Sequence, residues 1–476
     1  MAPTPTRARP VRPTSPPRAG QAAGPTPPVA SSPAAATPPE EKPTEGIEPP
    51  PPAIADVHVT SVDASGARIS WLTTVPARGL VAVGLDEPST WARPDDGLAV
   101  EHLSVLDGLE PGTDYHTYLH AVDDEGRTTT AEASFTTAPL PATSTATTEG
   151  DDIVVDGRPF FPTAVWQQCS DALGASVDEG INLFIGLGCD GDDVALPQLL
   201  GGRAYALVDA GHADAAGRGL IGWHYPDEWD ASLDGSIRRD QLRAAVDPRG
   251  GRISFLTLTN HFYSRAEPLP QGKEMYPVLM SLPDVVGFDL YPLQGWCRPA
   301  FGDVFDAQRE LDRVTGGKPT FQWLEVAAME QECGRDRRLD PTPATVQAET
   351  WLAIAGGADG VGYFPNRWGG AIGAEIARTN RTIKALTPAL AAAELPARSD
   401  TDSVRVAARS RNGAVYVIAV NTTDATVHAQ ISVPGIAGRS LRVYGGGEAI
   451  GSDASSFGDI FGPLAARVYV VPPAGW

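Results

Sequence analysis

The run ISFLTLT at residues 253–259 is the clearest of eight apolar runs in the middle of the chain. Continuous apolar runs of this length are typical of parallel strands whose two faces are both buried. The other seven runs are PFFPTAVW (159–166), INLFIGL (181–187), AYALVDA (204–210), GLIGWHY (219–225), VVGFDLY (285–291), PTFQWLE (319–325) and GVGYFPN (360–366). Eight strands in succession, each followed by a connecting segment, predict a (β/α)8 TIM barrel.

Helix-like patterns lie between the later runs, and they favour a barrel over an open sheet. They are VFDAQRELDRV (304–314), TVQAETWLAIAGG (345–357) and AEIARTNRTIKALTPAL (374–390). A doubly wound sheet is the alternative, but it normally has a glycine-rich phosphate turn after its first strand. Residues 162–169 read PTAVWQQC and contain no such turn. We therefore assign residues 151–397 to a catalytic barrel.

The segments on either side of the barrel differ from it in composition. Residues 1–52 are rich in Pro, Ala, Thr and Ser and have almost no large apolar residue, so we predict a disordered tail. Short alternating runs between polar turns predict a β-sandwich at 53–139, followed by a linker at 140–150. A second small β-sandwich is predicted at 398–476, where Arg411-Asn412-Gly413 is typical of a hairpin turn.

Acidic residues outnumber basic ones in this chain of 476 residues, 59 to 37, which gives a net charge of −22. This balance argues against a nucleic-acid partner, because binding to phosphates needs a basic surface that displaces counterions. No apolar run reaches the ~18 residues of a membrane span, and none near the start has the length of a signal-peptide core. We expect a soluble, monomeric protein with no membrane span.

Aromatic, amide and carboxylate residues follow the predicted strands, at the end of a barrel where active sites form. Aromatic faces stack on sugar rings, and amides and carboxylates bond their hydroxyl groups, so we predict a carbohydrate substrate. A hydride- or phosphoryl-transfer site would carry glycine cradles or basic residues instead. The predicted substrate-binding residues are Trp166, Gln167, His224, Asp227, Asn260, His261, Asp289, Tyr291, Trp323, Asn366 and Trp368.

Two glutamates follow strands on opposite sides of the predicted barrel mouth. Glu228 comes after the fourth strand and Glu325 ends the seventh. Glycoside hydrolysis needs one carboxylic acid to protonate the leaving oxygen and one carboxylate to attack or to activate water. We predict that these two residues are catalytic. A separation of ~5–5.5 Å would predict retention and one of ~6.5–9.5 Å inversion.

The segments GWHYPDEWD (222–230), VVGFDLYPL (285–293) and FQWLE (321–325) resemble a group of TIM-barrel glycoside hydrolases. Members carry the acid/base at strand 4 and the nucleophile at strand 7. The resemblance implies that Glu228 is the acid/base, Glu325 the nucleophile and Tyr291 its hydrogen-bond partner. It also implies a retaining mechanism with neither metal nor organic cofactor.

One position departs from the main clan of these hydrolases. The clan has Asn-Glu at strand 4, where the Asn binds the sugar 2-hydroxyl, and this chain has Asp227-Glu228. The departure places the chain among relatives with an Asp-Glu motif. It leaves open which residue contacts the 2-hydroxyl.

The first predicted sandwich resembles a fibronectin type III domain at Trp71 and at LEPGTDY (109–115). The resemblance implies that Trp71 lies in the core. It also implies that Tyr115 is a corner tyrosine whose hydroxyl bonds nearby backbone. Both roles are structural.

The four cysteines follow strands 1, 2, 6 and 7, as Cys169, Cys189, Cys297 and Cys333. Of three connectivities, only Cys169–Cys189 with Cys297–Cys333 joins adjacent loops throughout. We predict these two disulfides. They imply an oxidising compartment, and so a secreted, extracellular protein whose signal peptide is not visible in the sequence.

Other functions fit parts of the same pattern. The chain is alternatively a non-catalytic glycan-binding or cell-surface adhesion protein with a degenerate barrel, or a carboxylate-based lyase. His224, His261 and Asp289 are a conceivable metal set, but no HxH or HExxH spacing supports it. We predict no metal site.

Overall fold

The computed structural model describes residues 50–92, 97–189, 191–212, 215–232, 251–329, 333, 339–447 and 449–476. The tail predicted for residues 1–52 lies outside the described residues, apart from its last three. Residues 51–476 form one compact unit.

An antiparallel sheet comes first. Its strands are β1 (Ile54–Thr60), β2 (Ala67–Gly84), β3 (Thr90–Trp91), β4 (Ala99–Leu106), β5 (Asp114–Asp123) and β6 (Thr128–Thr136). They run in the order β1-β2-β5-β6, and β3 and β4 pair with the long β2. Trp71 is buried and stacks on His102 at 4.9 Å. The Tyr115 hydroxyl accepts a hydrogen bond from the Glu110 backbone N–H at 3.0 Å, which confirms the predicted corner contact.

A small three-stranded sheet lies where a linker was expected. Its strands are β7 (Ala146–Glu149), β8 (Asp152–Val155) and β9 (Arg158–Pro159). Ala146, Ile153 and Val155 are buried in one apolar cluster with the first residues of several barrel strands, such as Leu183 and Ile253. The predicted linker boundary is therefore corrected, because part of 140–150 closes the amino-terminal end of the barrel.

Eight parallel strands form the closed barrel, as predicted. They are β10 (Thr163–Gln168), β11 (Leu183–Leu187), β12 (Tyr205–Asp209), β13 (Leu220–His224), β14 (Ile253–Thr259), β15 (Val285–Asp289), β16 (Thr320–Glu325) and β17 (Gly360–Phe364). The barrel closes where β10 pairs with β17, with Ala164 opposite Gly362. Each strand lies within a few residues of its predicted run, and β14 coincides with it.

Helices cover the outside of the barrel unevenly. Those described are α1 (Leu173–Asp178), α2 (Leu196–Leu200), α3 (Trp229–Ser232), α4 (Tyr276–Leu279), α5 (Phe301–Thr315), α6 (Pro343–Ala355) and α7 (Gly370–Leu390). The last three confirm the three predicted helices. No helix in the described ranges is both long enough and apolar enough to span a bilayer.

The C-terminal part folds into two antiparallel sheets. The strands are β18 (Ala393–Leu395), β19 (Arg398–Ser399), β20 (Val404–Arg411), β21 (Ala414–Asn421), β22 (Val427–Ser432), β23 (Ser440–Val443), β24 (Ile450–Gly451), β25 (Ser456–Phe461) and β26 (Ala466–Val471). Between β20 and β21, Asn412 and Gly413 have φ values of 49° and 82°. Two positive φ angles in a two-residue loop are typical of a type I′ turn, so the predicted hairpin is confirmed.

Two disulfides join neighbouring loops. Cys169 is bonded to Cys189, with Cα atoms 5.3 Å apart, and Cys297 to Cys333, with Cα atoms 5.7 Å apart. The predicted pairing is confirmed. Both bonds lie at the carboxyl ends of barrel strands and tie together the loops that surround the barrel mouth.

Candidate active site

A cleft of about 500 Å³ opens at the carboxyl ends of the barrel strands. Its volume lies within the range of small-molecule sites, ~300–1,000 Å³. Eight predicted site residues line it, namely Trp166, Asp227, Glu228, Asn260, His261, Asp289, Tyr291 and Trp323. Seven further residues line it that were not predicted, namely Ala231, Thr257, Thr259, Gly295, Trp296, Met329 and Phe364.

Two tryptophans form the floor of the cleft. Trp166 on β10 and Trp323 on β16 meet edge to face, with ring centroids 6.0 Å apart. The Trp323 indole N–H donates to Thr257 Oγ1 at 2.9 Å, which satisfies its polar atom inside the barrel. Side chains alternate along a strand, so Phe321 and Trp323 both point inward. The floor is therefore apolar and rigid.

Flat aromatic rings also form the walls. Tyr291 and Phe364 lie nearly parallel, with centroids 6.0 Å apart. Trp296 stacks on Tyr263 at 6.2 Å, and the Arg298 guanidinium lies 4.9 Å from its ring. Such faces match the apolar faces of pyranose rings.

Glu228 is held in a strained backbone conformation, with φ at +42°. Positive φ is uncommon for residues other than glycine and is concentrated at functional sites. The buried Asp230 fixes this loop, since its carboxylate accepts hydrogen bonds from the Thr259 backbone N–H at 3.0 Å, the Thr259 hydroxyl at 2.5 Å and the Tyr276 hydroxyl at 2.8 Å. These three bonds anchor the loop after β13 to β14 and hold Glu228 at the cleft.

Three carboxyl groups meet in the cleft. Burial raises the pKa of Asp289 well above its usual range, and the charge on Glu228 and a side-chain hydrogen bond to Glu228 raise it further. Oδ1 of Asp289 is buried and accepts no hydrogen bond from a described residue. Asp227 reaches solvent at the mouth, yet the surrounding protein displaces enough water to raise its pKa to about 6, with the Glu228 charge adding to the effect. The cleft therefore places a carboxyl group with a raised pKa, that of Asp289, beside the side chain of Glu228.

Tyr291 lies among these charged groups. Burial raises the pKa of its hydroxyl well above the usual range, and the charges on four carboxyl groups raise it further, namely those of Asp289, Asp227, Glu228 and Glu325. The hydroxyl therefore stays protonated and able to donate. Within the described contacts, however, it makes no hydrogen bond to Glu325, its predicted partner.

Glu325 lies behind the cleft. Its side chain is fully buried and does not line the cleft. Oε1 accepts from the Leu293 backbone N–H and Oε2 from that of Gln294, each at 2.7 Å. The charge on Glu325 also raises the pKa of the buried Glu349 on α6, whose two carboxyl oxygens accept no hydrogen bond from a described residue. Burial raises the pKa of Glu325 to about 7, and the two backbone hydrogen bonds oppose the rise.

This position corrects the expected geometry of the catalytic pair. A nucleophile must reach the anomeric carbon from the cleft, and the Glu325 carboxylate instead faces the loop after β15. The cause is long-range, because that loop passes the end of β16 and presents two N–H donors to its last side chain. Glu228 and Asp289 thus line the cleft together, whereas Glu325 is held behind it by two backbone N–H donors.

Four other predicted residues lie outside the cleft. Gln167 is exposed, and its carbonyl oxygen accepts from Asn366 Nδ2 at 2.5 Å. Trp368 donates its indole N–H to Glu179 at 3.0 Å, on the outer side of the barrel. His224 is buried below the Trp166 ring and pairs with Asp193 at 3.3 Å. These residues support the rim but do not form its inner surface.

The conceivable metal set does not assemble around an open position. His224 Nε2 is directed to Asp193, while His261 Nδ1 lies 2.5 Å from the Glu267 carbonyl oxygen. Across the described part of the chain, no group of three or more His, Cys, Asp or Glu side chains is arranged to hold a metal ion.

The most informative residue that sequence reasoning missed is Trp296. It lies in the loop after β15, one residue before Cys297, in the segment QGWC. A tryptophan next to a predicted disulfide in a rim loop could have indicated a cleft residue, because the disulfide restricts the position of the loop that carries the ring. Thr257 and Thr259 carry a weaker signal, since alternation along β14 places both on the inward face.

No protein-family model matches this chain, and no curated protein matches it. Among solved structures it is similar to a putative alpha-galactosidase/melibiase from Bacteroides fragilis NCTC 9343, at 11% identity and a TM-score of 0.44, covering 89% of this chain and 98% of that one. A second putative alpha-galactosidase from the same organism is 10% identical, with a TM-score of 0.42, and the match covers 89% of this chain and 98% of that one. A β-glucuronidase from Ruminococcus gnavus is 9% identical, with a TM-score of 0.38, and the match covers 69% of this chain and 68% of that one. These likenesses are too distant to assign a function to this chain, and the residues of the cleft carry the assignment instead.

Proposed function

We propose that the protein is a glycoside hydrolase whose catalytic pair is Asp289 and Glu228. The observation that carries this proposal is the placement of the Asp289 and Glu228 carboxyl groups together in one aromatic-walled cleft, with the pKa of Asp289 raised by burial and by Glu228. Pairs of carboxyl groups whose environments push their pKa values apart supply the acid and the base of a reaction. Burial raises the pKa of Asp289 well above its usual range, so we assign the role of the acid to Asp289.

The proposed reaction has two steps. In the first, Asp289 gives its proton to the glycosidic oxygen as the C–O bond breaks, and Glu228 forms a glycosyl ester with the anomeric carbon. In the second, Asp289, now ionised, takes a proton from water, and the oxygen of that water displaces Glu228. Neither step uses a metal or an organic cofactor.

The closeness of the two groups supports retention of configuration. Two carboxyl groups within hydrogen-bonding reach of one another are nearer to the ~5–5.5 Å separation of retaining enzymes than to the ~6.5–9.5 Å that inverting enzymes need for a water molecule. In this scheme Glu228, and not Glu325, is the nucleophile.

The substrate we propose is an oligosaccharide or polysaccharide. Trp296, Tyr291 and Phe364 offer ring faces, while Asn260 and His261 offer polar groups for sugar hydroxyls. Two disulfides at the rim support action outside the cell, where such bonds persist. The first sandwich, proposed to be of fibronectin type III kind, then serves as a packing or spacer module.

The position of Glu325 behind the cleft favours a competing function, that of a glycan-binding protein. If catalysis requires a carboxylate at the end of the seventh strand, the chain is a glycan-binding protein whose barrel has lost its chemistry. Activity measurements on matched variants separate the two.

The decisive variants are Glu228→Gln and Asp289→Asn, each tested on polysaccharides and aryl glycosides. Loss of an acid or base of this kind lowers the rate about 10²–10⁴-fold, so we expect little or no reducing sugar from either variant. Glycan binding, measured by calorimetry, should persist. Asp192→Asn is the control, because Asp192 is a rim carboxylate outside the cleft whose N-cap bond to the Val194 N–H an asparagine also makes. Equal behaviour of parent and variants on every glycan would establish the binding protein.

A further inference from the structure

A second cavity, of about 360 Å³, lies at the other end of the barrel. We call it the interdomain cavity. One side is formed by the start of β10 at Thr163 and the start of β12 at Tyr205, and another by Lys384 on α7. The turn at 110–112 of the first antiparallel sheet closes it. The cavity therefore lies between two parts of the chain, far from the catalytic pair.

Lys384 is the unusual residue of this cavity. Its side chain is half-buried in the wall of the cavity, and its ammonium group makes no hydrogen bond and no ion pair with any residue that the structure describes. The ammonium group therefore faces the cavity without a protein partner. Lys318, by contrast, has protein partners, because its ammonium group donates to the carbonyl oxygens of Ser281 and Pro283 at 3.0 and 2.6 Å.

The nearest carboxylate does not neutralise Lys384. Glu110 accepts a hydrogen bond from Arg158 at 3.0 Å, and Arg158 also donates to the Tyr205 hydroxyl at 3.1 Å. Arg203 lines the same cavity and adds a second cation to its wall. Burial lowers the pKa of Lys384, as expected for an ammonium group without a full counter-charge. This positive wall stands in a chain whose net charge is −22.

We propose that the interdomain cavity binds a small organic monoanion, whose carboxylate pairs with Lys384 and Arg203. The body of the ligand would lie against the apolar wall formed by Val177, Ile181 and Ile383. A carboxylate would supply the negative charge and the hydrogen-bond acceptors that the Lys384 ammonium group lacks within the described protein. Bound there, the ligand would link α7 to the turn at 110–112, and so stabilise the junction between the first sheet and the barrel.

The test compares sodium benzoate and sodium acetate with sodium chloride at equal ionic strength, on the full chain. Benzoate at a hundredfold excess over its Kd should raise the melting temperature by about 3 °C more than chloride does. Lys384→Met should abolish the difference and, without added carboxylate, should melt no lower than the parent, because it removes a partly desolvated charge that has no protein partner. Lys318→Met should melt lower and keep the benzoate effect.

A second variant guards against a folding defect. Arg203→Gln changes a more exposed side chain and should weaken benzoate binding about tenfold in calorimetry. Two results would overturn the proposal: no carboxylate-specific rise in the parent, or an equal rise in Lys384→Met. A lower melting temperature for Lys384→Met in chloride would likewise count against it, since that would reveal a partner for the ammonium group.

Discussion

Replacing Glu325 by glutamine tests whether this buried residue anchors a loop or attacks the substrate. Each carboxylate oxygen accepts one backbone hydrogen bond, from Leu293 and Gln294. Glutamine keeps one acceptor and turns an NH2 group toward the other N–H. A hydrogen bond to a charged group contributes about 1.5–3 kcal/mol, and removal of the buried charge offsets part of its loss. We expect the free energy of unfolding to fall by about 2 kcal/mol.

The pH dependence of stability gives the same variant a second signature. Burial raises the pKa of Glu325 from 4.5 to about 7, so the folded state holds a proton that the unfolded state releases between these values. Stability therefore falls as the pH rises through this window, by at most ~1.4 kcal/mol per pH unit. Glutamine does not titrate, so Glu325→Gln should flatten this part of the profile. Urea unfolding at pH 4.5, 6 and 8 measures it, with Glu101→Gln on the exposed side of β4 as the control.

Kinetics of the same variant decide the role of the residue. The loop that Glu325 holds carries Tyr291 and Trp296, so we expect kcat/KM to fall about tenfold through misplacement. Loss of a nucleophile would cost about 10⁴-fold or more. Such a loss in Glu325→Gln, together with rescue by azide and a glycosyl azide product, would refute the anchoring role.

Three further changes test other contacts. Trp296→Ala should raise KM about tenfold with a smaller change in kcat, whereas Trp368→Ala, outside the cleft, should leave KM unchanged in steady-state assays. Asp230→Asn removes a charge that raises the pKa of Asp289, so the alkaline limb of the kcat/KM profile should move to lower pH; an unmoved limb would rule out Asp289 as the acid. Tyr115→Phe should lower the free energy of unfolding by about 1 kcal/mol in urea without changing kcat, since its hydroxyl only accepts the Glu110 N–H.

The barrel was predictable because its strands are parallel and buried on both faces. The apolar run of β14 is interrupted only by one serine and two threonines, and every residue of it is buried. The disulfides could be predicted from the order of the barrel strands, because that order shows which loops are neighbours. Only one pairing of the four cysteines joins adjacent loops throughout. By contrast, β7 is short and rich in threonine, and only its contacts with the barrel end show that it is part of the core.

Of the proposed catalytic pair, Glu228 was predicted to be catalytic from the sequence and Asp289 was not. Alternation along β16 places Trp323 inward, but the direction of the last side chain depends on donors that come from the loop after β15, and no local pattern encodes them. Asp289 was expected to bind substrate. Its raised pKa arises from burial and from Glu228, which lies 61 positions away in the chain, so the acid role that we propose for it could not be inferred from the sequence.

A covalent trap tests the central claim most directly. A 2-deoxy-2-fluoro glycosyl fluoride of the sugar that the enzyme releases slows both steps and accumulates the glycosyl ester, and peptide mass mapping locates the modified residue. We predict the added mass on Glu228. The same mass on Glu325, or inactivation of the enzyme without any label in the cleft, would contradict the account.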